Sequence, residues 1–245
     1  MELIALPAVR KLSSLVVTVL GMNPGRMTLQ GTNTYLVGSG SSRILIDTGA
    51  GKAEYLDHLK GALASAGVKR LSHVLLSHHH ADHVGGLQDV LALAARMDPN
   101  GHAPQIWKHE KHPLAEALDN PSVLEGLSVG FLKEGMRFAT EDASCTVRTI
   151  YAPGHTDDHC CFFLEEEQAL FSGDAILGQG TAVITDLKSY LSTLRALQKG
   201  DAMFKVIHPA HGPPLDDPAA AFESRSAGLM KVAFVPGRET STWRR

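Results

Sequence analysis

Cysteine is scarce in this chain, and its scarcity narrows the options. The 245 residues include three, Cys145, Cys160 and Cys161. An odd number with two adjacent is no disulfide framework. It predicts a reducing, intracellular setting, cytoplasmic or mitochondrial. No apolar run reaches the roughly 18 residues a membrane-crossing helix needs, so no membrane role is expected. The net charge is only −3, which gives no global attraction to nucleic acid. The opening Met1-Glu2-Leu3-Ile4 lacks the basic, apolar, small-residue order of a secretory leader. Arg10 and Lys11 are the only early basic residues, which argues against a transit peptide. No segment repeats with a period of about 20 to 50 residues. No low-complexity linker divides the chain.

What is present describes a folded protein. Hydrophobic residues make up 44% and charged residues 20%, enough for a proper core. One domain spanning residues 1–245 is the expectation. β-Branched and apolar runs predict strands at Val16 to Leu20, Thr34 to Val37 and Arg43 to Asp47, joined by glycine-rich turns. They suggest sequential hairpins. Leu56, Leu59 and Leu63 share a face, which predicts a helix from Tyr55 to Ala66. A strand from Ser72 to Ser77 and a helix from Leu87 to Arg96 follow. Residues 97 to 135 carry four prolines and read as an inserted loop around a short strand at Gln105-Ile106-Trp107. Beyond them come a strand from Cys145 to Ala152 and a hairpin, Cys160 to Leu164 with Ala169 to Phe171. A helix from Asp186 to Leu197, a strand from Lys205 to His208 and a helix from Ala219 to Met230 complete the reading. Strands and helices mix in two stretches, as in a layered α/β sandwich.

The most distinctive stretch is Ser77-His78-His79-His80-Ala81-Asp82-His83-Val84-Gly85-Gly86. It sets four imidazoles and a carboxylate directly behind an apolar strand, and those are ligands for a zinc-like ion. Alone it supplies too few ligands for two complete shells. Three other strand ends offer more, each with a small residue beside a His or Asp: Gly154-His155, Gly173-Asp174 and His211-Gly212. His159, in Thr156-Asp157-Asp158-His159, is a candidate for contact with substrate or leaving group, or else a loop residue. His58, His73, His102, His109, His112 and His208 read as surface or packing residues, and Cys160 and Cys161 as core.

The order Asp-Thr-Gly, His-x-His-x-Asp-His, Gly-His, Gly-Asp, His-Gly resembles the five-part pattern of the metallo-β-lactamase superfamily. The resemblance runs from about residue 16 to residue 212 and implies a four-layer αββα sandwich. It implies one zinc on His78, His80 and His155, a second on Asp82, His83 and His211, and Asp174 bridging them. His79 takes the pattern's variable position, outside the ligand set. Asp47 resembles the family's aspartate that orients the ligand region. Such a zinc pair holds a bridging water and ionises it near neutral pH, so the implied reaction is hydrolysis. Asp82, facing that water, is the expected proton-handling residue. His and Asp donors also accept manganese or iron. A bridging carboxylate fits phosphodiester or thioester hydrolysis rather than β-lactam cleavage, and His80 argues against the iron-binding redox branch, which carries Glu there.

Within the superfamily the chain is similar to the β-lactamase-like protein 2 family. The shared stretches are residues 23–38, 44–49, 153–159 and 171–178, beginning Asn23-Pro24-Gly25-Arg26-Met27-Thr28-Leu29-Gln30-Gly31-Thr32-Asn33. This resemblance implies an endoribonuclease-type phosphodiesterase on single-stranded RNA. The same opening occurs in fungal thioesterases that release polyketides from an acyl carrier protein. A thioesterase acting on carrier-bound or CoA-bound acyl groups is therefore the alternative, and a metal-bearing, non-catalytic binding protein is a third. Two features weigh against RNA. The family's C-terminal helical extension is short or absent, since 33 residues follow Gly212, and the net charge is not basic. Thr32 and Asn33 would bond substrate or hold their turn.

Overall fold

The computed structural model describes residues 2–98, 101, 103–114, 128–199 and 204–233, with 226–233 as backbone alone. The chain opens with β1 (Val9–Lys11), β2 (Val16–Leu20), β3 (Asn33–Val37) and β4 (Ser42–Ile46), each antiparallel to its predecessor. Helix α1 (Ala53–Ser65) crosses to β5 (Arg70–Leu75), which lies parallel to β4. Helices α2 (Ala81–Val84) and α3 (Leu87–Met97) lead to β6 (Gln105–Lys108), and β7 (Val129–Phe131) completes a seven-stranded sheet in chain order.

The second sheet has five strands: β8 (Arg137–Ala139), β9 (Thr146–Tyr151), β10 (Cys160–Leu164), β11 (Ala169–Gly173) and β12 (Val206–Pro209), in spatial order β12-β11-β10-β9-β8. Helix α4 (Leu187–Lys199) precedes β12 and α5 (Pro218–Ala233) follows it.

Side-chain alternation along the strands builds three cores from these layers. On β4, Ile44 and Ile46 face the second sheet, joining Phe162, Leu164 and Phe171. Leu45 points the other way, to Leu59 and Leu63 of α1 and Val90 of α3. On the second sheet, Cys161, Leu170 and Ile207 pack outward on Tyr190, Leu194 and Leu197 of α4 and on Phe222 of α5. Each fully buried Leu, Ile or Phe contributes about 1.5–3 kcal/mol. The result is helices, sheet, sheet, helices, the αββα order expected. No helix among the described residues is long and apolar enough to cross a membrane.

The long, strongly patterned elements lie where the sequence places them. Strands β1, β7 and β8 do not announce themselves, because each has three residues and little buried surface. β7 falls inside the stretch read as an inserted loop. Part of that stretch, 115–127, lies outside the described residues, as does His102. The three cysteines are buried and unpaired.

Candidate metal centre

The strand ends that the sequence singles out converge on one edge of the sandwich. His78 and His80 follow β5, and Asp82 and His83 sit in α2. His155 follows β9, Asp174 follows β11 and His211 follows β12. Backbone contacts tie the two sheets together there: Cys160 N donates to Ser77 O at 2.8 Å and Asn33 N to Ala210 O at 2.6 Å. The Asn33 side chain donates to Pro209 O and Gly212 O, both at 2.9 Å. Asn33 therefore holds the turn that carries His211.

The ligand-type atoms form two adjoining groups. One is His78, His80, His155 and Asp174; the other is Asp82, His83 and His211. In the first, His78 Nε2 and His155 Nε2 lie 2.9 and 3.0 Å from His80 Nδ1. In the second, Asp82 Oδ2 lies 3.3 Å from His83 Nε2 and 3.4 Å from His211 Nε2. Asp174 faces both groups: Oδ2 is 3.3 Å from His155 Nε2, and Oδ1 is 3.3 Å from His211 Nε2.

The far nitrogens of the His83, His155 and His78 rings are engaged, which aims the near ones inward. His83 Nδ1 meets Asp47 Oδ2 at 2.8 Å, and His155 Nδ1 meets Val183 O at 2.7 Å. His78 Nδ1 pairs with the Ser77 hydroxyl at 3.0 Å. Asp47 also accepts from Ser77 N and Ser77 Oγ, each at 2.8 Å. Its backbone takes φ +58°, so the turn after β4 holds a non-glycine residue in left-handed space to make these contacts.

The electrostatics divide along the same line. Burial, reinforced by neighbouring imidazoles, pushes His78 well below its ordinary pKa and His80 down to about 4, so both are neutral donors. In the second group burial pulls the other way from the carboxylates, and the carboxylates win. Asp82, Asp47 and Asp174 push His83 well up, and Asp174 and Asp82 raise His211 to about 9. Burial alone would raise Asp82 and Asp174, yet His83 and His211 hold both well below the carboxylate range. The carboxylates of the second group thus favour positive charge beside them.

A divalent metal fits this donor set. Among the buried side-chain atoms without a hydrogen-bond partner are His83 Nε2 and Asp174 Oδ1, two of the atoms turned into the cluster. Buried polar atoms are rarely left unpaired, and cation ligation satisfies them.

Other candidates fall outside the two groups. The His159 ring is fully buried, and its Nε2 accepts the Asp174 backbone N–H at 3.0 Å. Burial lowers its pKa to about 3, so it is a neutral acceptor that braces the Asp174 turn. His79 Nδ1 lies 2.9 Å from Asp158 Oδ1 and its ring stacks on His112 at 4.1 Å. His79, His112 and Asp158 form a third cluster of ligand types. However, Asp158 is already paired with the Lys108 ammonium at 2.7 Å and accepts the Thr156 hydroxyl at 2.7 Å. Sequence reasoning passed over Lys108 and Asp158, and nothing in the chain signals that a lysine next to Trp107 is buried.

Comparison with known proteins bears on the family and the fold. The family model described as Metallo-beta-lactamase superfamily matches residues 27–236. An atrochrysone carboxyl ACP thioesterase of Aspergillus novofumigatus is 42% identical over 230 residues, covering 94% of this chain and 64% of that protein. A second, from Paecilomyces divaricatus, is 44% identical over 207 residues, covering 84% of this chain and 58% of that one. A lactamase-like protein of Aspergillus fumigatus is 41% identical over 242 residues, covering 96% and 66%. The chain thus spans less than two thirds of the length of these curated relatives. A metallo-beta-lactamase family protein from Thermus thermophilus shares the fold with TM-score 0.69 at 23% identity, over 93% of this chain and 85% of that one.

Proposed function

The chain belongs to the metallo-β-lactamase superfamily, and on that premise we propose that it is a dinuclear zinc hydrolase of acyl thioesters held on a carrier protein or on CoA. Asp174 carries the two-metal part of this reading, because its two oxygens face two separate groups of ligand atoms. The thioester part rests on relatives that share over 40% of their matched residues and are named as ACP thioesterases. The curated relatives described above are named as thioesterases or as a lactamase-like protein, and none of these three names is that of a nuclease. They favour the thioesterase alternative over the endoribonuclease one.

In this reading His78, His80 and His155 hold one metal, Asp82, His83 and His211 the other, and Asp174 both. A zinc pair bound there would supply a water ionised near neutral pH and would polarise the thioester carbonyl. The residues of the chain do the rest. Asp47, Ser77 and Val183 fix the ring orientations. Asp82, whose side chain is 23% exposed, receives the proton of the attacking water at the oxygen not committed to the second group. His159 is a positioning residue for the Asp174 turn.

The test is a side-by-side assay of zinc-loaded protein on acyl-CoA, on acyl carrier protein thioesters and on a labelled single-stranded RNA. Thiol release from the thioesters, abolished in Asp82→Ala, with the RNA left intact, is the expected outcome. RNA cleavage without thiol release would reinstate the nuclease reading. Inertness of wild type and Asp82→Ala alike on every substrate would leave only a binding protein.

A further inference from the structure

The loop between β2 and β3 contains a directional chain of hydrogen bonds that ends on Asp82. Asn23 grips Thr32 twice: its Oδ1 accepts the Thr32 backbone N–H at 2.9 Å, and its Nδ2 donates to Thr32 Oγ1 at 3.0 Å. A threonine hydroxyl has one proton to give. With Asn23 donating into the oxygen, that proton goes to Asp82 Oδ2, 2.8 Å away. Thr32 is fully buried, so its hydroxyl is out of reach of substrate.

The surrounding backbone is shaped to hold the Asn23 side chain. A β-carbon on Gly21 would sit 2.8 Å from Asn23 Oδ1, and one on Gly31 would sit 3.2 Å from the same atom. Gly31 also has φ +133°, a conformation side chains avoid. Met22, between Gly21 and Asn23, takes φ +54°. The Thr28 hydroxyl caps Asn23 O at 2.6 Å. The same loop pairs with the other side of the second group: Thr32 bridges His211 as an antiparallel pair, and Gly31 O lies 3.3 Å from His211 Nδ1.

We propose that Asn23 and Thr32 are positioning residues that lock the rotation of the Asp82 carboxylate. Oδ2 receives the Thr32 proton and is the oxygen that faces His83 Nε2 and His211 Nε2. Oδ1 is left free of this bond. A carboxylate without this bond turns freely about its last torsion and presents either oxygen, or both, to a cation. The relay therefore sets both the hold on the second metal and the aim of the proton acceptor. It rests on the reading of Asp82 as a metal ligand.

The experiment dialyses wild type, Thr32→Val, Thr32→Ser and Asp82→Ala against graded chelator and counts zinc per chain by mass spectrometry. Valine keeps the branched shape and removes the hydroxyl; serine restores the hydroxyl. Thr32→Val should surrender one of two zincs at about 10–100-fold lower chelator strength, the usual cost of losing a bond to a metal ligand. It should hold the other as wild type does, and Thr32→Ser should follow wild type. With a thioester substrate, kcat should fall in Thr32→Val and KM should not. Asn23→Ala reads the relay one step earlier if Thr32→Val does not fold, with a loss in the same direction. Wild-type retention by Thr32→Val beside a lost zinc in Asp82→Ala would overturn the relay, as would equal loss in the valine and serine variants. Retention of both zincs by Asp82→Ala would overturn the ligand reading and the relay with it.

Discussion

Asp174→Asn is expected to lose thioester hydrolysis by more than about 100-fold while keeping its fold. Removing a group that merely supports a ligand costs up to about 100-fold in affinity or activity, and Asp174 touches both groups directly. Its Oδ2 stands 3.3 Å from His155 Nε2, and its Oδ1 stands 3.3 Å from His211 Nε2 and 3.7 Å from His83 Nε2. An amide keeps the volume but carries no negative charge, and one of its two polar atoms is a donor that cannot ligate. His83 and His211 would then lose one of the carboxylates that hold positive charge beside them. The variant should retain fewer zincs per chain than wild type after the same dialysis. Its circular dichroism should not change, because the Asp174 backbone still donates to His159. Wild-type turnover in Asp174→Asn would remove the bridging role.

Lys108→Met is expected to be strongly destabilising. The Lys108 side chain is 2% exposed and Asp158 fully buried, with 2.7 Å between ammonium and carboxylate. Lys108 also donates to Lys111 O at 2.6 Å and His109 O at 3.2 Å, which fold the segment after β6 back on its end, while the Asp158 pair ties that end to the loop that carries His155. Removing one partner leaves the other charge buried alone, at a cost of about 3–5 kcal/mol. For a domain of this size that lowers the melting midpoint by about 6–20 °C. The double variant Lys108→Met with Asp158→Leu should recover much of the loss, because a buried apolar pair carries no unpaired charge.

The pH dependence follows from the Asp158 carboxyl. Burial alone would raise its pKa, but hydrogen bonds from Lys108, Thr156 and His79 outweigh burial and lower it to about 2. A depressed folded pKa stabilises the protein above the unfolded value, and that stability fades as pH falls through the folded one. The unfolded value cancels between the two proteins, so the gap between wild type and Lys108→Met should be widest near neutral pH and close as pH falls through the folded wild-type value toward 2. A gap independent of pH would mean that the lysine acts through packing alone.

Much of the candidate metal cluster is legible in the chain because its signals are local and dense. His78 to His83 crowd into one turn, and His155, Asp174 and His211 each follow an apolar strand beside a small residue. The layers are legible from alternation, as in Ile44-Leu45-Ile46, whose middle residue faces one core and whose neighbours face another. What escapes the sequence is pairing across distance. Lys108 and Asp158 are 50 positions apart, and each alone looks like a surface charge. Thr32 could as well face substrate as Asp82 until the fold turns its hydroxyl inward. In sequence His159 stands between a contact with substrate or leaving group and a loop residue, and only the chain's path shows its Nε2 spent on a backbone amide. The choice between RNA and thioester is not written in the ligand set, which serves either reaction.

The central claim, a two-metal site bridged by Asp174, is tested most directly by anomalous diffraction from zinc-loaded crystals. The account predicts two peaks per chain. One would lie among His78, His80 and His155, the other among Asp82, His83 and His211, each within bonding distance of Asp174. A single peak, or a second one at His79 and His112 instead, would contradict it.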